Sequence, residues 1–178
     1  MDSKAVYNGK TTTAAPGTRG AGVALLMLHI RTIIGPSKIH GTGLFAAEPI
    51  RAGSAVWSFT PAFDRTFTRE EIAKLPDGAR IYLATYAYKS QVSGVYVLPE
   101  DNGKYFNHSD APNTRSTHPA DGGEVITYAL RDIAPGEELT DDYSSFEDPF
   151  DNENILADVA REHSLEGLID ETTSAIRA

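Results

Sequence analysis

The chain has 178 residues, of which 40% are hydrophobic and 23% are charged, and these values are typical of one globular domain with a tail. It contains no cysteine, which excludes a disulfide scaffold, a zinc site made of thiolates and a cysteine nucleophile. The net charge of −9 is concentrated at one end, because residues 137–178 alone carry a net charge of −11. An acidic end attracts cationic partners such as Lys-rich peptides and argues against general nucleic-acid binding, although a solvated acidic helix explains the charge as well.

The N-terminal part predicts a leader followed by a strand. Residues 1–22 are rich in Thr, Ala and Gly and lack hydrophobic periodicity, which predicts a flexible leader outside the fold. The apolar run that follows is too short for a membrane span of about 20 residues. It predicts a first strand over Leu25–Ile34, ended by the turn signal Gly35-Pro36, in preference to a signal peptide. We therefore expect a cytoplasmic protein that does not bind membranes, and export as an effector stays open.

Helix signals are few in the central region. Thr68 and Glu71 have the spacing of a capping box, and they predict a short helix over Arg69–Leu75 that Pro76 ends. The apolar and aromatic segment Ala79–Tyr88 fits a helix or a strand equally.

Short strands and loops make up most of the remaining domain. Two Ile-x-x-Gly sequences, Ile50–Gly53 and Ile133–Gly136, predict tight turns between strands. Val95–Leu98 and Val125–Leu130 predict further strands. Residues 99–119 contain Asp, Asn, Gly, Ser and Pro throughout and predict a long loop.

The C-terminal end predicts an acidic helical extension over residues 147–178. Asp151 or Asn152 is its expected N-cap, and Ile155 and Val159 are expected on one apolar face. Many short strands, few helices and long loops together indicate a mainly β or α+β domain.

Three stretches carry the residues most suited to a functional site. They are His40-Gly41-Thr42-Gly43, Tyr105-Phe106-Asn107-His108-Ser109-Asp110-Ala111-Pro112-Asn113 and Gly136-Glu137-Glu138-Leu139-Thr140-Asp141-Asp142-Tyr143. The first lets a ligand approach the backbone closely, because its two glycines have no side chain. It lacks the third glycine and the following helix of a dinucleotide-binding fingerprint, so a Rossmann fold is excluded.

In this order and at this spacing, the three stretches resemble the SET-domain family of protein lysine methyltransferases, over about Leu28 to Tyr143. The resemblance implies a β-clip fold of small curved sheets whose last motif is threaded through a loop as a pseudoknot. It also implies that the Asn-His-Ser and Glu-Leu-Thr-x-Asp-Tyr segments lie side by side. We expect the SET domain over residues 23–146, with a substrate-selecting variable insert over about 60–99. The compact spacing is similar to that of small bacterial or viral members without zinc-binding flanking segments.

The resemblance further implies methyl transfer from S-adenosyl-L-methionine to a lysine of a Lys-rich protein or peptide. Such a displacement needs the reacting atoms held in line and an apolar channel that keeps the amine neutral. Tyr143 matches the catalytic tyrosine of the family, while Phe146 and the acidic extension are expected to cover the adenine. The cofactor-binding residues implied are His40, Gly41, Thr42, Gly43, Asn107, His108, Tyr143 and Phe146.

The acceptor channel is expected to be aromatic. Its candidates are Trp57, Tyr105 and Tyr128, with Tyr82, Tyr86 and Tyr88 from the insert, each of which could equally be a core residue. Asp141 also belongs to this set, and it departs from the family, which usually has Phe or Tyr there. A carboxylate at this position could hold water or the ammonium group, and it leaves the number of methyl groups added open.

Two alternatives belong to other functional classes. A non-catalytic SET-like module that binds the cofactor or a cationic peptide is favoured by Asp141 and by the absence of zinc segments. A metal-dependent hydrolase is excluded, because no two of the five histidines lie two or four residues apart, and no metal is predicted. No direct nucleic-acid binding is expected, and the choice between monomer and homodimer stays open.

Overall fold

The computed structural model describes residues 27–146 and 155–159. Within them the chain is mostly β, as the sequence predicts, with short helices and several small sheets. The strands are β1 (Met27–Leu28), β2 (Thr32–Pro36), β3 (Thr42–Ala46), β4 (Ala55–Ser58), β5 (Arg65–Phe67), β6 (Tyr88–Lys89), β7 (Tyr96–Leu98), β8 (Asn107–His108), β9 (Thr114–Thr117), β10 (Ile126–Ala129) and β11 (Thr140–Asp141). The helices are α1 (Arg69–Ile72) and α2 (Asp77–Tyr86), with 3₁₀ turns at Asn102–Tyr105 and Tyr143–Ser145 and a helical stretch at 155–159.

These strands form four sheets. One has the order β1-β4-β10-β9, a second is the β2-β3 hairpin and a third has the order β5-β7-β6, and all their neighbours are antiparallel. The fourth pairs β8 with β11 in parallel. A parallel pair needs a long crossover connection, and here the connection contains β9 and β10. Two motifs remote in sequence therefore meet in one sheet.

The prediction of one continuous first strand is wrong. The structure has two strands, β1 and β2, separated by residues 29–31. The reason is pairing, because β1 pairs with β4 whereas β2 pairs with β3 in another sheet, so the chain changes direction between them. The leader over 1–22 lies outside the described residues.

The two Ile-x-x-Gly turns pair with each other. Ile50 and Ile133 form an antiparallel bridge, with N–H to O distances of 3.0 and 2.8 Å in the two directions. Gly53 and Gly136 both have positive φ, 76° and 81°, a conformation that favours glycine. This bridge brings the start of the C-terminal motif against the segment that connects β3 to β4.

The helix predictions are confirmed in part. The Thr68 hydroxyl accepts from the Glu71 amide at 3.2 Å, and the Glu71 carboxylate accepts from the Thr68 amide at 2.8 Å, so the capping box is present. The α1 helix ends at Ile72 and not at Leu75. The ambiguous segment Ala79–Tyr88 contains both alternatives, since α2 runs to Tyr86 and β6 begins at Tyr88.

The prediction of one long loop over residues 99–119 is wrong in part. It contains a 3₁₀ turn and the strands β8 and β9. In β9 the side chains of Thr114 and Ser116 point inward and are buried, while their neighbours are exposed. This is the alternation of a strand with hydroxyl groups on its inner face, so apolar periodicity could not show it.

The helical stretch 155–159 packs into the core, although Asp151 and most of the predicted extension lie outside the described residues. Ile155 and Val159 are 2% and 4% exposed, as expected for one apolar face. Ile155 joins a cluster with Leu83 of α2, and Asp158 forms an ion pair with Arg69 at 2.5 Å. This stretch is therefore a packed element and not a solvated tail.

We expect Ile155→Val to lower the free energy of unfolding by about 1 kcal/mol, because it removes one buried methylene and leaves a small void. Urea denaturation measures the change. Ile33→Val is the matched control, since Ile33 is 57% exposed on β2 and should change stability by less than about 0.5 kcal/mol. Equal effects at both positions would contradict the packing of this stretch.

None of the helices in the described part of the chain is long and apolar enough to cross a membrane.

Candidate functional site

An open cavity with about 680 Å³ of empty space lies between α2, the β4-β10-β9 sheet and the C-terminal motif. Its walls are largely aromatic. The aromatic residues that line it are Trp57, Tyr86, Tyr88, Phe106, Tyr143 and Phe146. Hydroxyl and carboxyl groups of Ser116, Thr127 and Asp141 also line it, and we call these three residues the polar cluster. Such a cavity suits a slender apolar chain that ends in a polar group.

Tyr143 is held in the wall of this cavity by both its backbone and its side chain. Its amide donates to Nδ1 of His108 at 3.3 Å, and its hydroxyl donates to the carbonyl of Phe106. Its ring packs edge-on against Phe146, with ring centroids 5.9 Å apart. These contacts fix the position of the phenol oxygen before any ligand binds.

The two motifs that the resemblance expects side by side do lie side by side. In the parallel pair, Thr140 lies opposite Asn107 and Asp141 lies opposite His108. The amide of Ser109 donates to the carbonyl of Asp141 at 3.0 Å and extends the pairing by one bond. This prediction is confirmed.

Asn107 connects the glycine turn to the C-terminal motif. Its side-chain nitrogen lies 2.8 Å from the Glu138 carboxylate, 3.1 Å from the His40 carbonyl and 3.4 Å from the Thr42 carbonyl. A Cβ placed on Gly43 would lie 2.3 Å from Oε1 of Glu138, so any larger residue there would have to displace that carboxylate. We call these five residues the Asn107 cluster. Its carbonyl and carboxylate oxygens form an acceptor-rich lining that suits an ammonium group.

Gly43→Ala is expected to lower the free energy of unfolding by about 1–2 kcal/mol, because the new methyl group must displace the Glu138 carboxylate from Asn107. Thermal or urea unfolding checks this. Gly78→Ala is the matched control, since a Cβ there meets no atom within 4 Å and Ala favours the helix that contains it. Tolerance of alanine at Gly43 would contradict the close approach.

Asp141 is the buried member of the polar cluster, with 2% of its surface exposed. Its carboxylate accepts from the Ser116 hydroxyl at 2.6 Å, the Asp142 amide at 2.8 Å and the Ser116 amide at 3.3 Å. The Ser116 hydroxyl lies 2.7 Å from that of Thr127. Burial raises the pKa of Asp141 to about 6, although the bonds from Ser116 and Asp142 act in the opposite direction.

The structure brings six of the predicted site residues to the cavity, namely Trp57, Tyr86, Tyr88, Asp141, Tyr143 and Phe146. It places His40, Thr42, Gly43 and Asn107 together in the Asn107 cluster. Gly41, with φ of 45°, lies in the same turn, and His108 contacts the backbone of Tyr143. The predicted residues thus form two groups, with β8 and Tyr143 connecting them.

Two predicted channel residues do not line this cavity. Tyr128 is 36% exposed on β10, beside the inward-facing Thr127, because successive strand residues point to opposite faces. Tyr105 packs edge-on against Tyr86, with ring centroids 5.8 Å apart, and its neighbour Lys104 lies over its ring. Of the insert tyrosines, Tyr86 and Tyr88 line the cavity, whereas Tyr82 does not.

Sequence reasoning missed Phe106, Ser116 and Thr127 as members of the site. Phe106 could have been found, because it directly precedes Asn107 in the second motif. Ser116 and Thr127 gave no signal, since isolated hydroxyl residues are common on any strand.

Comparison with known proteins shows that the chain is similar in sequence to SET-domain proteins. The family model described as SET domain matches residues 41–144. The chain is 32% identical over 120 residues to histone-lysine N-methyltransferase ATX2 of Arabidopsis thaliana, covering 65% of this chain and 11% of that protein. It is 32% identical over 111 residues to histone-lysine N-methyltransferase 2B of Homo sapiens, covering 60% of this chain and 4% of that protein.

A solved structure shares the fold. The match to the Polycomb Repressive Complex 2 of Chaetomium thermophilum covers 74% of this chain and 17% of the matched chain, with a TM-score of 0.54 and 22% sequence identity. The chain therefore spans a small part of the length of these three proteins. These proteins are eukaryotic, so they give no support to the expected bacterial or viral type.

Proposed function

Because the chain belongs to the SET-domain family, we propose that it is an S-adenosyl-L-methionine-dependent protein-lysine N-methyltransferase. The acceptor is a lysine side chain of a Lys-rich protein or peptide, as the names of the related histone-lysine methyltransferases suggest. The observation that carries this proposal is the position of Tyr143, whose backbone bonds to the His108 side chain while its ring lines an aromatic cavity.

The Asn107 cluster fits the amino-acid end of the cofactor. The Glu138 carboxylate lies close against Gly43, and its oxygens and the His40 and Thr42 carbonyl oxygens suit an α-ammonium group. When bound, S-adenosyl-L-methionine supplies an electrophilic methyl group on a positively charged sulfur. His40, Gly41, Thr42, Gly43 and Asn107 would hold its methionine end and the backbone at His108 its adenine. Phe146 and the C-terminal extension would cover it.

The cavity would receive the acceptor lysine. Its aromatic walls pack along the four methylene groups and exclude water, which lowers the pKa of an amine and favours the neutral form. The Tyr143 hydroxyl donates to the Phe106 carbonyl, which fixes the phenol oxygen at a place where it can accept from the incoming amine. Positioning of this kind is the main contribution that the chain itself would make to the rate.

The finer features of the resemblance belong to the same proposal. The parallel pairing of β8 with β11 supports a pseudoknot in which the C-terminal motif is threaded through a loop. Domain limits of 23–146, an insert over about 60–99, a cytoplasmic location and the absence of direct nucleic-acid binding stay predictions. The bacterial or viral type and the oligomeric state also stay predictions.

The second candidate is a non-catalytic module that binds the cofactor or a cationic peptide. Asp141 favours it, because a buried carboxylate in the cavity suits the binding of a cation and replaces the usual aromatic residue. The acidic C-terminal region favours it as well.

The two candidates differ in a labelling experiment. The full chain is mixed with cofactor labelled on its transferable methyl group and with a Lys-rich protein, and we expect label on lysine, identified by mass spectrometry. Calorimetry with the demethylated cofactor measures binding separately. Binding without transfer would support the module. The absence of both binding and transfer would contradict the methyltransferase and a module that binds the cofactor. The same protein with its lysines acetylated is the matched control and should acquire no label.

A further inference from the structure

The polar cluster at the cavity is unusual because it contains a buried carboxylate. Asp141 is 2% exposed, and all three of its hydrogen bonds come from neutral donors, two backbone amides and one hydroxyl. In residues 27–146 and 155–159 no ion pair involves it, and Lys104 is the one other charged residue that lines the cavity. A buried carboxylate without a cation is costly, and a cationic ligand would relieve that cost.

The cavity offers such a ligand a direct approach. Its aromatic walls suit an alkyl chain, and its polar cluster would meet the end of that chain. The Ser116 hydroxyl bonds to both Asp141 and Thr127, so the carboxylate is held in one orientation. A fixed carboxylate in an apolar cavity binds an ammonium group by a charge-assisted hydrogen bond and discriminates against a neutral group of the same shape.

We propose that Asp141 binds the ammonium group of the acceptor side chain within the cavity and takes one proton from it. The nature of the acceptor, a lysine, rests on the proposed function. One N–H bond of the ammonium breaks, its electron pair stays on nitrogen, and one O–H bond forms on the carboxylate. An ion pair becomes a neutral amine and a neutral carboxylic acid, both of which an apolar cavity favours over charges. The acid later loses its proton to water, which restores the carboxylate.

The ionisation of Asp141 supports this step. Its pKa of about 6 is raised chiefly by burial, which makes the carboxylate a stronger base than an exposed one. The charged and titratable groups on the elements around it are Lys104, His108, Arg115, Tyr128, Asp142, Tyr143, Tyr86 and Tyr88. Of these charges, that of Asp142 contributes to the shift and raises the pKa further.

The first test is binding in the absence of cofactor. The full chain at pH 7.5 is titrated with n-butylammonium and, separately, with n-butanol, and amide chemical shifts report the two affinities. We expect the cation to bind at least 10-fold more tightly than the alcohol. Asp141→Asn should remove this preference, and Asp121→Asn, in an exposed turn, should keep it. No preference in the unmodified chain, or a preference that survives Asp141→Asn, would overturn the proposal.

The second test locates the proton. With ¹³C-labelled aspartate, the carboxyl resonance of Asp141, assigned by its loss in Asp141→Asn, is followed as n-butylammonium saturates the site at pH 7.5. We expect it to move toward the position of a carboxylic acid. A resonance that stays at the carboxylate position would overturn the proton transfer. Neither test uses methyl transfer, so a chain that passes both and transfers no methyl group contradicts only the proposed function.

Discussion

Replacing Tyr143 by phenylalanine is expected to reduce the rate of methyl transfer about 100-fold or more, a loss typical of removing one positioned polar group at reacting atoms. The ring would still pack against Phe146, so the shape of the cavity is kept. The substitution removes the hydroxyl, and with it the hydrogen bond to the Phe106 carbonyl that fixes the position of the phenol oxygen. Single-turnover transfer of labelled methyl groups measures the rate, and calorimetry should show cofactor binding within a few-fold of that of the unmodified chain.

Tyr82→Phe is the matched control for this substitution. Tyr82 is 41% exposed on α2 and does not line the cavity, so the same loss of a hydroxyl should leave the rate unchanged. The Tyr143→Phe variant loses one buried hydrogen bond and should be destabilised by about 1 kcal/mol, too little to unfold it. Equal transfer rates for the two variants would remove Tyr143 from its proposed role.

The second large effect is a pH-dependent loss of stability at Asp141. An unfolded Asp has a pKa of about 3.9, and the folded chain holds that of Asp141 at about 6. The folded state therefore binds more protons between these values, so stability falls as pH rises through them. Below pH 4 the carboxyl group is protonated and does not lower the free energy of unfolding. Above pH 6 its ionisation lowers the free energy of unfolding by about 2–3 kcal/mol.

Asp141→Asn removes this titration and keeps the contacts. The amide oxygen can accept from the Asp142 and Ser116 amides, and the amide nitrogen can donate to the Ser116 hydroxyl, which then donates to Thr127. Between pH 4 and pH 7 we expect the free energy of unfolding of the variant to rise by about 2–3 kcal/mol relative to that of the unmodified chain. Urea denaturation at a series of pH values measures the difference, in which the other titrating groups largely cancel.

Glu137→Gln provides a control of opposite sign. The Arg131 guanidinium, with help from the Ala134 amide and Asn113, lowers the pKa of Glu137 to about 2. The ionised Glu137 carboxylate stabilises the folded state above pH 4.5, and this stabilisation is lost as pH falls toward 2. The loss of stability caused by Glu137→Gln should therefore become smaller over that range. A stability difference for Asp141→Asn that stays constant with pH would contradict the burial of an ionisable carboxylate.

The sequence predicted individual short elements where the signal was local. The capping box at Thr68 and Glu71 depends on side chains three residues apart, and the structure has it. The strands at β7 and β10 were predicted from their own apolar residues. Leu25–Ile34 was predicted as one strand because nothing in its own residues records that β1 and β2 pair with different partners.

The sequence by itself identified Asn107, Tyr143 and the glycine turn as motifs of one protein family, because residue types and their spacing can be read from the chain. It also placed a carboxylate at position 141. Only the tertiary structure decided which side chains share the cavity, since Ser116 and Thr127 reach it from β9 and β10 and Tyr128 points away from it. The physical reason is that burial and hydrogen-bonding partners are set by contacts between remote segments. The same carboxyl group at Asp141 would be an ordinary surface acid without the strands that enclose it.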